Sequence, residues 1–182
     1  PAFSVANIMA FNTRMKRGYI RVNADEVTYP AHIILRYEIE HALIEGNMEV
    51  DDIPTAWNEK MLGYLGLSTN DNYSDGCMQD IHWPMGAFGY FPSYTLGAMT
   101  AAQLFSPAER SITDLKHNIA QGNLTPLFEW QKHHIRQKGS TMSTNELKKQ
   151  ATGEPIVARY YIRFNKTKPH KKHPIWKYGW YG

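Results

Sequence analysis

The chain has 182 residues, of which 42% are hydrophobic and 13% aromatic, enough apolar material for one domain with a core and too much for a disordered chain. A formal net charge of +3 does not by itself mark a nucleic-acid binder, and the single cysteine, Cys77, excludes an internal disulfide. No apolar run reaches bilayer-spanning length and no secretory leader pattern is present, so the expected location is the cytoplasm.

In chain order, residues 1–18 show no usable period, and 20–25 alternate apolar and polar as a short extended segment or helix approach would. The spacing predicts a helix over 27–45, capped by Asp25 or Thr28, with Pro30 in its first turn and Gly46 at its end. Ile33, Tyr37 and Ile44 form its expected buried stripe, broadened by Ile34 and Leu35. A second helix starts at Asp51 and Asp52 and stops at Gly66, burying Trp57, Met61, Tyr64 and Leu65. Residues 68–76 read as a surface loop. The run 94–105 carries Gly97, Ala98, Ala101 and Ala102, small residues that predict a buried helix. Three shorter helices follow: one from Ser111 with Asp114 to Gly122, one from Thr125 with Pro126 to Gly139, and one from Ser143 to Gly153. Ser143 and Glu146 there have capping-box spacing. Past Glu154 no Asp or Glu occurs and no period is legible.

The chemistry concentrates in 76–94, where glycines and five aromatic rings surround Gln79, Asp80 and His82. On an extended segment, residues two apart share a face, so Asp80 and His82 could enter one cleft as an oriented acid–base pair. A buried Asp–His hydrogen bond that ties a loop down fits the same spacing. Arg21 with Asp25 could grip a carboxylate, or could be an ordinary surface pair. Tyr90 and Tyr94 could donate to a developing oxyanion, or be plain packing aromatics. His32, Arg36, Glu38 and His41 share a helix but lack the His-Glu-x-x-His spacing of a zinc helix, which occurs nowhere in the chain. His133 and His134 are adjacent, so they diverge around a helix, and no metal site can be assembled. Cys77 reads as a small, inert loop side chain. Seven Lys and Arg between 159 and 177, interleaved with Tyr161, Phe164, His170, His173 and Trp176, could contact phosphates. A solvated terminus is the favoured reading, and nucleic acid is not expected as a partner.

Four stretches occur in one order: I-R-V-N-A-D at 20–25, V-T-Y-P-A-H-I-I-L-R-Y-E-I-E at 27–40, G-C-M-Q-D-I-H-W at 76–83 and G-Y-F-P-S-Y at 89–94. Together they resemble the C-terminal part of the carboxypeptidase Taq family of metallocarboxypeptidases, over about 20–155. The resemblance implies a mainly α, zincin-like helical fold with a central cleft and few or no strands, often dimeric. It implies removal of C-terminal residues from peptides, using a divalent metal, zinc or cobalt, held by a His-Glu-x-x-His helix and a further glutamate. By motif position, Arg21 would take the substrate carboxylate, with Asp25, Gln79 and Asp80 on the substrate side. His82 and Tyr94 or Tyr90 would serve catalysis. The metal-binding helix lies upstream in the family, so this chain alone is expected neither to hold metal tightly nor to turn over substrate. The expected organisation is a divergent segment at 1–18, a catalytic-domain portion at 19–155 and a basic-aromatic tail at 156–182. The alternative function is a non-catalytic helical remnant that self-associates or complements a separate N-terminal piece.

Overall fold

A computed structural model describes residues 3–166, and among them the regular structure is entirely helical. The basic-aromatic stretch from 167 onward lies outside the described residues. Two compact units are present, one reaching Thr95 and including Asn165 and Lys166, the other Leu96–Phe164.

The first unit is built on α2 (Tyr29–Ile44) and α3 (Ile53–Leu65). Ala31, Leu35 and Ile39 of α2 pack against Trp57, Met61 and Leu65 of α3, with Cys77 and Trp83 partly buried against them. The predicted stripe on α2 needs correction. Ile33 is buried, but Tyr37 is 48% and Ile44 62% exposed. Instead His32, Arg36 and Glu40, four residues apart and therefore on one side of the helix, are all buried. On α3 the expected face holds, although Tyr64 is only partly covered.

The helix ends follow local chemistry. The Asp25 carboxylate accepts from the Val27 and Thr28 amides at 2.9 and 3.0 Å and from Thr28 Oγ1 at 3.1 Å, so it caps the approach to α2 from outside the helix. Gly66 ends α3 at φ +67°, and a Cβ there would sit 2.6 Å from Arg17 Nη1, which donates to the Leu65 carbonyl. Residues 20–25 contain a short 3-10 turn, Arg21–Asn23. The stretch before them, in which no element was predicted, holds α1 (Val5–Asn12), none of whose residues is buried.

The second unit takes up most of α4 (Pro92–Ser111), followed by α5 (Leu115–Ala120), α6 (Thr125–Gln131), a π-type turn (Lys132–Arg136) and α7 (Thr144–Thr152). Ala108, Leu115 and Trp130 form its core with Leu104, Phe105, Ile112, Ile119 and Leu127 around them. The predicted capping box is present: Ser143 Oγ accepts from the Glu146 amide, and the Glu146 carboxylate accepts from the Ser143 amide. Gly153 closes α7 in the left-handed region. Ser111 belongs to the end of α4, and Asp114 precedes α5 without a side-chain cap.

Two further expectations are revised. Along α4 only Gln103 and Ala108 are buried, Gly97 and Ala101 are exposed, and a Cβ at Gly97 would meet nothing within 4 Å, so the small-residue stripe is not the buried face of the helix. Past Glu154 an unpredicted helix, α8 (Arg159–Lys166), is present.

Candidate functional site

The 76–94 stretch runs as successive turns between α3 and α4, not as an extended segment. Backbone bonds such as Ala87 N to the His82 carbonyl, 2.8 Å, coil it back on itself. Side chains then tie it to the residues before α2. The Gln79 amide reaches the Tyr19, Asp75 and Gly76 carbonyls at 3.0, 2.7 and 3.1 Å, and its oxygen accepts from the Arg21 amide at 2.8 Å. One side chain therefore joins segments sixty residues apart in sequence.

Asp80 lies between two guanidiniums. Its Oδ1 accepts from Arg21 Nε and Nη2 at 2.9 and 2.8 Å, and its Oδ2 accepts from Arg36 Nε at 2.6 Å. Burial alone would raise its pKa, but the Arg21 and Arg36 hydrogen bonds and charges hold it below the usual carboxylate value. Burial lowers the pKa of Arg36 to about 10, which leaves it protonated at neutral pH. Arg21 also donates to Tyr29 Oη at 2.8 Å, and Arg36 to the His32 carbonyl at 2.7 Å. The flat faces are used as well. Arg36 lies 4.5 Å over Trp57, and Arg21 lies 5.1 Å over Tyr94.

His82 stands beside this cluster. Its Nδ1 is 3.9 Å from Asp80 Oδ1, too far for a hydrogen bond. Its ring packs 4.3 Å from Phe91, and its Nε2 is 3.0 Å from Tyr94 Oη. Tyr90 lies 5.7 Å from the His82 ring and edge-on to Tyr94 at 5.4 Å, and is half exposed. Trp83 donates to Glu40 Oε2 at 3.3 Å, and burial raises the Glu40 pKa.

The structure thus brings Arg21, Gln79, Asp80, His82, Tyr90 and Tyr94 together and sets Asp25 apart, at the approach to α2. Arg21 is 6% exposed and its nitrogens point to Asp80 and Tyr29, while Gln79, Asp80 and Asp25 carry structural hydrogen bonds. Asp80 is bonded to arginines, not to His82. Sequence reasoning missed Tyr29, Arg36 and Phe91 as parts of this cluster. The four-residue spacing of His32, Arg36 and Glu40 was the available signal, but charged residues on a helix ordinarily mark its solvent side.

A carboxylate fixed between two guanidiniums, with a His–Tyr pair beside it, forms a polar cluster on a helical frame. The sequence pattern of the carboxypeptidase Taq (M32) metallopeptidases matches residues 2–169, past both ends of the motif-bearing stretch, and the chain belongs to that family. It is 44% identical over 145 residues to the thermostable carboxypeptidase 1 of Thermus thermophilus, covering 80% of this chain and 28% of that protein. It is 40% identical to carboxypeptidase 1 of Bacillus subtilis over 149 residues, 82% of this chain and 30% of that one. Among solved structures, metallocarboxypeptidase 1 of Trypanosoma cruzi superimposes with a TM-score of 0.88 at 46% identity, over 92% of this chain and 35% of that chain. The Pyrococcus furiosus carboxypeptidase does so with a TM-score of 0.87 at 34% identity, over 91% and 33%. The chain spans less than a third of the length of the curated relatives named here. The family is one of metallopeptidases, yet among the described residues no group of three or more His, Cys, Asp or Glu could hold a metal ion. The described residues do not fit a metal site.

Proposed function

We propose that this chain supplies the substrate-facing wall of a metal-dependent carboxypeptidase that releases C-terminal residues from peptides. The family's zinc or cobalt would then be held by segments that the relatives carry outside the matched third. The observation that carries this reading is the His82–Tyr94 contact at 3.0 Å, on a loop immobilised by the Asp80–Arg21–Arg36 cluster. A tyrosine hydroxyl polarised by an imidazole can donate to the oxyanion that forms when a peptide carbonyl is attacked, and a rigid mount keeps it aimed before reaction. Tyr90, half exposed next to it, is suited to contact the peptide. Arg21, Gln79 and Asp80 act by holding this wall, and Asp25 by anchoring the chain at the start of α2. The portion at 19–155 is the family's catalytic-domain part, and 156–182 a basic-aromatic tail whose first residues, to 169, still fall within the family pattern.

The test is a chimera in which this chain replaces the matching third of the Thermus thermophilus relative. The expected outcome is release of free amino acids from a blocked dipeptide. Tyr94→Phe or His82→Ala should lower kcat by about 10²–10³-fold, the loss typical of a missing oxyanion donor. A folded chimera with no activity, or full activity in both variants, would overturn the reading. The 182-residue chain by itself should hold metal well below one equivalent and release nothing.

A second reading, a helical remnant that pairs with itself or with a separate N-terminal piece, is favoured by the surface of α1. Val5, Met9 and Phe11 are 78%, 56% and 73% exposed there.

A further inference from the structure

Among the buried polar atoms with no hydrogen-bond partner within the described residues are Arg36 Nη2, Glu40 Oε1, Trp57 Nε1 and His82 Nδ1, besides both ring nitrogens of His32. A chain of contacts links the first four. Arg36 lies over the Trp57 ring, Trp57 packs edge-on against Trp83 at 6.3 Å, and Trp83 donates to the other Glu40 oxygen. Arg36 and His82 both approach Asp80, at 2.6 and 3.9 Å. Arg36, Glu40 and Trp57 are 0%, 2% and 1% exposed. Buried polar atoms rarely go unpaired, because each would cost about 1–3 kcal/mol. Asp80 cannot serve His82, since its oxygens are already bonded to the arginines and 3.9 Å is too long.

The chemistry of the four atoms is complementary. Guanidinium and indole nitrogens only donate, an ionised carboxylate only accepts, and an imidazole nitrogen does either, according to tautomer. A buried water that accepts two hydrogen bonds and donates two matches this set, provided that His82 Nδ1 accepts.

We propose that a structural water bridges Arg36 Nη2, Trp57 Nε1, Glu40 Oε1 and His82 Nδ1, making Glu40 a positioning residue that holds His82 in its Nε2–H tautomer. Nε2–H then donates to the Tyr94 oxygen, and the Tyr94 proton stays free to point at a developing oxyanion. With the other tautomer, Tyr94 would spend its only proton on His82. The inference rests on the proposed role of the His82–Tyr94 pair, but its first test does not involve turnover.

The chain labelled with 15N-histidine is examined by long-range 1H–15N correlation at pH 7.5, with His82→Asn assigning the signal. The wild type should show the Nε2–H pattern alone, Glu40→Gln should keep it because its amide oxygen still accepts, and Glu40→Leu should give mixed tautomers. An Nδ1–H pattern in the folded wild type overturns the proposal whatever the variants do, and so does a pattern unchanged in a folded Glu40→Leu chain. In the chimera, Glu40→Leu should lower kcat about tenfold with little change in KM. If the tautomers behave as stated and kcat does not move, the water and the role of Glu40 in setting the tautomer stand, and the catalytic reading of His82 fails.

Discussion

His32 shows how far burial can move one residue. It is fully buried on α2, and burial together with the neighbouring Arg36 guanidinium lowers its pKa to about 4. In the unfolded chain the same imidazole titrates near ~6.5. Between those values the unfolded state binds the extra proton, so stability rises with pH across the window and is complete above it. A shift of that size corresponds to roughly 3 kcal/mol lost between neutral pH and pH 4. Urea unfolding of the wild type and His32→Leu at about pH 7, 5.5 and 4.5 checks it, and equal losses in both proteins would refute it. Asp80 acts on a separate window. Its pKa is depressed, so its contribution is present above the ordinary carboxylate pKa and fades as pH falls through the lowered value. None of this was legible in the sequence, because a histidine or arginine on a helix gives no sign of which side the rest of the chain will cover.

Among the elements, those with local signals are where they were expected. The Ser143–Glu146 box starts α7, Gly66 stops α3, and Pro30 sits in the first turn of α2, because these effects depend on a few neighbouring backbone groups. The joint between α7 and α8 has no such signal. Buried Gln103 of α4 donates to Thr152 Oγ1 and to the Glu154 and Pro155 carbonyls, and its oxygen accepts from the Val157 amide at 3.0 Å. Gln103→Leu takes their side-chain partner from the Pro155 carbonyl and the Val157 amide, while Glu154 keeps its bond from Thr152 Oγ1, and should lower stability by about 2–4 kcal/mol. Faster hydrogen exchange at the Val157 amide is the specific sign, and unchanged exchange there would show that the clamp is not what secures the joint. The small-residue face of α4 teaches the converse lesson. Gly and Ala permit a close neighbour without specifying one, and at Gly97 none comes within 4 Å of where a Cβ would sit.

At the scale of the molecule, several large apolar side chains remain exposed. Beyond Val5, Met9 and Phe11 on α1, Met78, Ile81 and Met85 on the site loop are 74%, 67% and 71% exposed. Exposed apolar side chains of this number predict association. Light scattering at increasing concentration should give a mass above 20.9 kDa, and Met9→Glu with Phe11→Glu should reduce it. A concentration-independent monomer would count against both the homodimer and the complementation reading.

The sequence by itself determined the family, the helical class and those helix ends that carry a local signal, such as Pro30 on α2, Gly66 on α3 and the Ser143 box on α7, since motif order and capping residues are properties of the chain. It also located the loop that carries Gln79, Asp80 and His82. The tertiary structure alone decided what those residues do for one another. Asp80 joins Arg21 and Arg36, 59 and 44 positions away, instead of His82, and His82 joins Tyr94, 12 positions on, because the loop after α3 folds back against α2 and the turn before it. Pairings at that separation have no local signature. They arise because two buried charges are stable only next to a third of opposite sign, and only the fold determines which charges are buried.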